Sequence, residues 1–236
     1  MKNKHNILAV VMARSKSKGL KNKNLKKIHN LPLLALPGII AKNTNLISKI
    51  IISTDSKKYG TIAKKNGIDF FYLRKRSLSG SKVPDHLVLH DALIKAEKYY
   101  KIKFDFIVSM PPTSPLRSKN DVEKSIKKII NQKFDTVWTI SKIDLKYHPN
   151  KQLKIKNNRL NYYSPEGKNT HYRQQLKTTY YRNGCSYVVK RNILLKYKSL
   201  LTNNTGYVVV KTPQISIDDE LDLKNVKKIF SISRYY

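Results

Sequence analysis

A cationic, hydroxyl-bearing segment at residues 14–24 is the part of the chain best equipped for chemistry. It directly follows the apolar run Ile7–Met12 and carries five positive charges and two serines. Parallel sheets bind ligands beyond the carboxyl ends of their strands, so a loop here would face the first such crevice. Charge-assisted donors of this kind suit a polyphosphate. The segment lacks the glycine spacing of a P-loop or a dinucleotide fingerprint, and the alternative interpretation is a solvated basic loop.

A proline-rich run at 111–117 follows another apolar run and offers a second set of polar groups. Its three prolines restrict the backbone. They would therefore hold three side chains in place: Thr113, Ser114 and Arg117. The alternative interpretation is a rigid connection between a strand and a helix, which needs the same turn chemistry.

Arginines recur farther along the chain, at Arg173 beside Gln174 and at 182 within the run 181–184. A guanidinium group can bind a carboxylate through two hydrogen bonds. These arginines are therefore candidates for binding an acidic substrate. The pair Asn183-Gly184, taken alone, indicates an ordinary turn.

Four carboxylates among the five residues 218–222 form the main acidic feature of a chain with only 15 acidic residues. Hard oxygen ligands together with substrate phosphates are typical of a Mg²⁺ site. Acidic residues also stabilise the first turn of a helix. We expect helix capping for Asp219, Glu220 and Asp222, and metal binding for Asp218.

Composition narrows the classes of protein. The 236 residues, 40% of them hydrophobic, predict a single domain over 1–236 with a substantial core. No apolar run approaches the ~20 residues of a membrane span, and the six apolar residues after the basic N-terminus predict a strand rather than a signal peptide. The single cysteine, Cys185, leaves no internal disulfide, predicts a buried structural thiol and favours a cytoplasmic location.

The formal net charge of +33 raises the possibility of a nucleic-acid or membrane partner. The lysines are spread over almost every segment, however, whereas proteins that read nucleic acids tend to cluster basic residues on one face. We therefore expect no nucleic-acid partner and no membrane insertion. The charge would still attract a nucleotide and an acidic sugar.

Apolar runs alternate with amphipathic segments along the chain. Strands are predicted at 7–12, 50–53, 69–73, 104–110, 136–141 and 185–189, and helices at 33–42, 56–66, 85–100, 120–131 and from the acidic turn to 230. This alternation predicts an α/β fold with a mostly parallel central sheet flanked by helices. Residues 148–179 break the pattern and predict an inserted arm, such as a hairpin, of the kind that forms dimer contacts.

In this order the segments resemble the acylneuraminate cytidylyltransferase family, which includes the CMP-sialic acid synthetases. Its first motif, A-R-x-G-S-K-G-x-x-x-K-N, is matched at Ala13, Arg14, Ser17, Lys18, Gly19, Lys23 and Asn24. The later motifs are matched at Ser53-Thr54-Asp55, Arg74, Pro112 to Arg117, Arg173-Gln174, Asn183-Gly184 with Tyr187, and Ser216 to Asp218. The first motif favours the neuraminate branch over the related enzymes that activate Kdo.

The resemblance implies a Rossmann-like nucleotidyltransferase fold and a homodimer. It also implies transfer of CMP from CTP to the anomeric hydroxyl of a nine-carbon sugar acid, with release of pyrophosphate, for surface glycan assembly. The implied CTP-binding residues are Arg14, Ser17, Lys18, Lys23, Asn24 and Arg74. The implied sugar-binding residues are Thr113, Ser114, Arg117, Arg173 and Gln174, with Arg173 pairing with the carboxylate. Lys23 and Asp218 are the implied catalytic groups, and Asp218 would bind Mg²⁺.

Several positions depart from the family pattern. Lys16 stands where the family has a glycine, Pro111 where it has a glutamine, and Lys75 where it has a proline. Ser81 and Ser216 each stand where the family has an acidic residue. The serine at 216 replaces the first of two metal-binding aspartates, so a second metal ion would be harder to hold. Two alternatives stay open: an enzyme for another sugar acid (legionaminic, pseudaminic or Kdo-like), or a catalytically silent nucleotide-binding homologue.

Overall fold

The computed structural model describes residues 5–17 and 19–231 of the chain. The strands are β1 (Ile7–Met12), β2 (Lys27–Ile28), β3 (Leu31–Pro32), β4 (Lys49–Ser53), β5 (Phe106–Ser109), β6 (Thr136–Lys142), β7 (Leu153–Lys156), β8 (Arg159–Tyr162), β9 (Tyr180–Lys190) and β10 (Thr205–Val209). The α-helices are α1 (Leu36–Asn43), α2 (Lys57–Lys65), α3 (Asp85–Tyr100), α4 (Lys119–Asn131), α5 (Arg191–Lys196) and α6 (Glu220–Ile229). None of the helices in the described part of the chain combines the length and apolar character needed to cross a bilayer.

A six-stranded sheet in the order β10-β6-β9-β5-β1-β4 forms the centre of the fold. β1 pairs in parallel with both β4 and β5, and β6 pairs in parallel with β10. β9 runs antiparallel to its two neighbours, β5 and β6. The predicted α/β class and mostly parallel sheet are therefore confirmed.

Helices cover both faces of this sheet because its central strands are apolar on both sides. Successive side chains of a strand point to opposite faces. In β1, Ile7 and Ala9 belong to a core cluster that includes residues of α1, α4 and α6. Leu8 and Val10 belong to a second cluster that includes residues of α3 and α5. Alternate residues of one strand thus bury two separate layers, which is why this strand reads as a continuous apolar run.

The strand predicted at 69–73 is wrong. Only Asp69 pairs with the sheet, through an isolated bridge to Ile51 at the edge strand β4. Phe71 and Tyr72 pack instead against the core cluster that includes residues of α3, and the Phe71 ring stacks on that of Tyr99 with centroids 4.0 Å apart. The aromatic composition that suggested a strand is explained by this packing against a helix.

α4 begins at Lys119, one residue before the helix predicted at 120–131. Ser118 is the N-cap, and its hydroxyl accepts a hydrogen bond from the Asp121 amide while the Asp121 carboxylate accepts one from the Ser118 amide. This reciprocal arrangement is a capping box, in which the cap precedes the acidic residue by three positions.

β9 is longer than the strand predicted at 185–189, and its course places part of the cleft described below. Its pairing with β6 is interrupted between Trp138 and Ile140, and Gly184 in this interruption has a φ of 73°. Because β9 is antiparallel, its beginning lies at the edge where β1 and β5 end. Residues 181–184 therefore approach the loops that follow those strands.

The predicted excursion at 148–179 contains an antiparallel hairpin of β7 and β8. Its turn residues Asn157 and Asn158 both have positive φ, at 51° and 57°, as hairpin turns of this length require. The hairpin is exposed, including Ile155 at 76% and Leu160 at 69%. The single-domain boundary over 1–236 stays a prediction.

Candidate functional site

Two adjoining cavities open at the edge of the sheet where the parallel strands end. The large cavity has a volume of about 500 Å³ and the small cavity one of about 290 Å³. Residues at the ends of β1 and β5 line both of them: Met12, Arg14, Pro111 and Thr113. The cavities are therefore two parts of one cleft, placed where an α/β sheet binds its ligands.

The small cavity brings together most of the groups expected to hold phosphate, namely Arg14, Ser17, Lys23 and Asn24, and with them Asp218. The ammonium group of Lys23 donates to the Asp218 carboxylate over 2.8 Å, joining residues 195 positions apart. The side chain of Lys23 is 15% exposed and that of Asp218 is 75% exposed. A metal ion arriving from solvent can therefore reach the Asp218 carboxylate, which lies beside the positive charge of Lys23.

The cationic segment 14–24, here called the basic loop, packs tightly against the segment 216–218. A Cβ on Gly19 would lie 2.5 Å from the backbone oxygen of Asp218, so only glycine permits this approach. The amide of Ile217 donates to the carbonyl oxygen of Thr113 over 2.9 Å. These two contacts hold the basic loop, the acidic turn and the proline-rich loop together.

The segment 53–55 positions both the basic loop and Arg74. The Asp55 carboxylate accepts hydrogen bonds from the Ser15 amide at 2.7 Å and from the Ser15 hydroxyl at 3.0 Å. The carbonyl oxygen of Thr54 accepts one from the Arg74 amide at 2.8 Å. Asp55 belongs to a motif of the sequence that carried no assigned role, and the structure shows that it anchors the first turn of the basic loop.

Arg74 lines the large cavity and is only 5% exposed. Its Nε donates to the Ser79 hydroxyl over 3.2 Å. Burial lowers the pKa of Arg74, and the Asp55 carboxylate opposes that shift. Because an arginine pKa starts above about 12, the guanidinium stays protonated. Arg74 therefore contributes a fixed positive charge to the large cavity.

Of the three candidate residues in the proline-rich loop (residues 111–117), two line the large cavity and one is buried. Thr113 and Ser114 line the large cavity. Arg117 is 1% exposed, and its guanidinium donates to the backbone oxygens of Pro111 and, over 3.5 Å, of Gly184. Arg117 lines neither cavity, because its guanidinium is directed to carbonyl groups beneath the cleft. It joins the proline-rich loop to β9.

Arg173 and Gln174 lie away from the cleft. Both are exposed residues of a short 3-10 helix in the excursion. Neither lines the large or the small cavity formed by residues 5–17 and 19–231. Within one chain, the arginine of this region that does reach the large cavity is Arg182. The sequence contained this residue beside a turn signal, but nothing in the sequence indicated that β9 would begin at the cleft.

The acidic groups fit a metal ion only in part. The described residues contain no cluster of three or more histidine, cysteine or acidic side chains that could hold a metal. Asp218 lines the small cavity and Ser216 the large one. Mg²⁺ commonly takes one or two carboxylates and completes its coordination with water and substrate phosphates. Asp218 therefore fits Mg²⁺ in the presence of a nucleotide.

Lys18, the remaining candidate for binding CTP, lies outside the described residues.

Hydrogen bonds and an ion pair define the roles of the other acidic residues at 218–222. Asp219 is the N-cap of α6, and its carboxylate accepts a hydrogen bond from the Asp222 amide. The Asp222 carboxylate in turn accepts hydrogen bonds from the amides of Asp218 and Asp219. Glu220 pairs with Lys26 at 2.8 Å. The capping expected for Asp219 and Asp222 is therefore confirmed.

Several known proteins are similar to this chain over nearly its whole length. It is 34% identical over 228 residues to CMP-N,N'-diacetyllegionaminic acid synthase of Campylobacter jejuni, covering 96% of this chain and 95% of that protein. It is 32% identical over 223 residues to post-translational flagellin modification protein B of Campylobacter coli, covering 94% and 93%. Its identity to N-acylneuraminate cytidylyltransferase of Escherichia coli is 26% over 221 residues, covering 92% of this chain and 50% of that protein.

The fold and the family follow from two further comparisons. CMP:2-keto-3-deoxy-manno-octonic acid synthetase, solved in complex with CTP, superposes with a TM-score of 0.69 at 14% identity, covering 95% of this chain and 98% of that one. This likeness confirms the Rossmann-like nucleotidyltransferase fold. The sequence profile of the family described as cytidylyltransferase matches residues 8–234. The resemblance seen in the sequence is thus confirmed, and the chain belongs to the cytidylyltransferase family.

Proposed function

We propose that the protein transfers CMP from CTP to the anomeric hydroxyl of a nine-carbon sugar acid and releases pyrophosphate. The observation that carries the proposal is a cleft with four cationic side chains in its walls: Arg14, Lys23, Arg74 and Arg182. Both substrates are anionic, one through its triphosphate and the other through its carboxylate. The relatives named for legionaminic and neuraminic acids support this class of acceptor. The reaction would take place in the cytoplasm, where CTP is made.

The nucleotide would occupy the small cavity with its phosphates and the large cavity with its nucleoside. Arg14, Ser17, Lys23 and Asn24 line the cavity proposed for the phosphates, and Lys18 follows Ser17 in the sequence. Arg74 lies at the nucleoside end. Donors that are already held in place stabilise developing charge without reorganising during the reaction. The contacts of the basic loop with Asp55 and with segment 216–218 provide that fixed geometry.

The chemical step is an in-line displacement at the α-phosphorus. The anomeric oxygen forms a bond to phosphorus, the bond to the bridging oxygen breaks, and the hydroxyl proton passes to solvent. Lys23 would neutralise the charge on the departing pyrophosphate, and Asp218 keeps Lys23 in position through its 2.8 Å contact. Asp218 would also hold Mg²⁺. When bound, this ion supplies charge neutralisation on the phosphates.

The sugar acid would bind at the part of the large cavity lined by Thr113, Ser114 and Arg182. Arg173 and Gln174 can contribute only from another direction, because they line neither cavity within one chain. We infer that they reach the sugar bound to a second copy, which makes the active form a homodimer. The exposed apolar side chains of the hairpin support this interface.

Pyrophosphate release tests the proposal. The assay combines CTP, Mg²⁺ and a panel of sugar acids with one or two acylamido groups, or none, using the wild type and Asp218→Ala. We expect release with at least one sugar acid and a fall in kcat of about 100-fold in the variant. Glu220→Ala is the matched control, since Glu220 is an exposed carboxylate of the same turn that lines neither cavity.

Two results would contradict the proposal in different ways. Full activity in Asp218→Ala would remove this carboxylate from the site. Binding of CTP without pyrophosphate release, with every sugar acid and in folded protein, would favour the silent homologue. Ser216, which leaves the cleft one carboxylate poorer than the family pattern, is the feature that favours this second candidate.

A further inference from the structure

Gln214 lines the large cavity, and the reaction described above gives it no role. It belongs to the segment 210–218, which connects β10 to the acidic turn. The residues of this segment, all of which the structure describes, lie in neither a helix nor a strand. The position of the segment in the cleft therefore depends on hydrogen bonds to its neighbours, because no ladder of a helix or sheet fixes it.

The side chain of Gln214 joins this segment to two other walls of the large cavity. Its Oε1 accepts a hydrogen bond from the Cys185 thiol of β9 over 2.9 Å. Its Nε2 donates to the carbonyl oxygen of Leu116, in the proline-rich loop, over 3.3 Å, and to the Thr212 hydroxyl over 3.1 Å. The backbone oxygen of Gln214 accepts from the Tyr181 hydroxyl over 3.3 Å. One residue thus connects parts of the chain 29 and 98 positions away.

These partners require an uncharged amide, because one group has to accept from a thiol and donate to a carbonyl oxygen. Burial raises the pKa of the Cys185 thiol to about 12, so the thiol keeps its proton and can donate. Cys185 and Leu116 are both fully buried, and water cannot readily take the place of the amide there. A substitution at Gln214 therefore loosens the segment from both walls.

The position of Gln214 also sets the course of the residues that follow it. The Ile217 amide donates to the carbonyl oxygen of Thr113 over 2.9 Å. Asp218 then reaches the small cavity, where its carboxylate accepts from the Lys23 ammonium group over 2.8 Å. Because the stretch of chain between Gln214 and Asp218 is short, a shift at the first residue is passed on to the second.

The walls that Gln214 joins carry groups proposed for the sugar acid, Thr113 on the proline-rich loop and Arg182 on β9. We propose that Gln214 is a positioning residue, which fixes the Asp218 carboxylate relative to the acceptor-binding part of the large cavity and so raises kcat. The inference rests on the proposed function. It assigns Gln214 an effect on the chemical step and none on CTP binding, because the basic loop is held separately by Asp55.

Initial rates of pyrophosphate release in Gln214→Ala measure this effect. Thr212→Ala is the matched control, because it removes a hydrogen bond within the segment and leaves the bonds of the amide to Cys185 and Leu116 in place. Thr212 lines neither the large nor the small cavity. We expect Gln214→Ala to lower kcat about tenfold and to change the KM for CTP less than about twofold. Thr212→Ala should keep the kcat of the wild type, and equal losses in the two variants would overturn the inference.

Combining Gln214→Ala with Asp218→Ala separates positioning from a general loss of folded protein. If Gln214 acts through Asp218, the double variant should have the kcat of Asp218→Ala alone, since nothing is left to position. A general loss of folded protein would lower kcat by the same factor in both backgrounds. A further tenfold fall in the double variant would therefore contradict the proposed role.

Hydrogen exchange of the Ile217 amide, followed by NMR in the protein without substrates, gives a readout that needs no acceptor. Gln214→Ala should accelerate this exchange about tenfold, because the segment opens more easily, and Thr212→Ala should not. An unchanged exchange rate in Gln214→Ala would refute the anchoring of the segment. The proposed function fails separately, if the wild type releases no pyrophosphate with any sugar acid; the exchange rate still decides whether Gln214 holds the segment in place.

Discussion

Replacing Gly19 with alanine tests whether the contact between the basic loop and the acidic turn controls catalysis. The new Cβ would lie 2.5 Å from the Asp218 backbone oxygen. A carbon and a carbonyl oxygen normally come no closer than about 3.3 Å, so one segment has to move by about 0.8 Å. This movement would separate Lys23 from Asp218, which are now joined at 2.8 Å. Displacements of about 1 Å in a catalytic arrangement lower rates by roughly 100-fold.

The expected result for Gly19→Ala is therefore a fall in kcat of about 100-fold, with little change in the urea midpoint of unfolding because the site is exposed. Initial rates of pyrophosphate release at saturating substrates measure the effect. Gly80→Ala is the control for the type of substitution, since Gly80 also lines the cleft but its nearest new contact is Val83 at an ordinary 3.5 Å. A normal kcat in Gly19→Ala would refute the claim that this close approach aligns Lys23 and Asp218.

Three further predictions concern other parts of the molecule. Asp55→Ala removes both acceptors of Ser15. A hydrogen bond to a charged group contributes about 1.5–3 kcal/mol, so the KM for CTP should rise at least tenfold. An unchanged KM would show that Asp55 does not position the basic loop. Mixing Arg173→Ala with Asp218→Ala should restore about a quarter of wild-type activity if Arg173 acts across a two-fold dimer. Half of the dimers are then mixed, and each mixed dimer has one intact site. No restoration would place Arg173 in the site of its own chain or outside the active sites of both chains. Burial raises the pKa of the Cys185 thiol to about 12, so iodoacetamide at pH 8 should label this residue only in urea-unfolded protein, and rapid labelling of the native protein would contradict its burial.

Local patterns in the sequence were sufficient for the class of fold and for the first half of the cleft. The apolar run of β1 and the basic loop after it are neighbours in sequence, so the position of the loop at the carboxyl edge follows from the strand itself. The same holds for β5 and the proline-rich loop. These are short-range relations, in which chain connectivity alone limits where the side chains can lie.

Where local patterns misled, tertiary packing was the stronger influence. The aromatic run at 69–73 has the composition of a strand, but the Phe71 ring stacks on Tyr99 of α3. Arg117 belongs to a motif that suggested sugar binding, which stays a prediction, and its guanidinium donates to the backbone oxygens of Pro111 and Gly184. Tyr99 and Gly184 are distant in sequence from Phe71 and Arg117, so no local signal indicates these two contacts.

The second half of the cleft depends on relations that no local pattern contains. The motifs already carried the residues involved: a loop glycine, an aspartate after β4, an arginine beside a turn and an aspartate near the C-terminus. Their geometry required β9 to run antiparallel, Gly19 to meet Asp218, and Lys23 to meet a carboxylate 195 positions away. Composition and spacing specify which groups a chain possesses and which faces it must bury. The approach of groups far apart in sequence is specified only when the sheet order and the packing of its loops bring them to one edge.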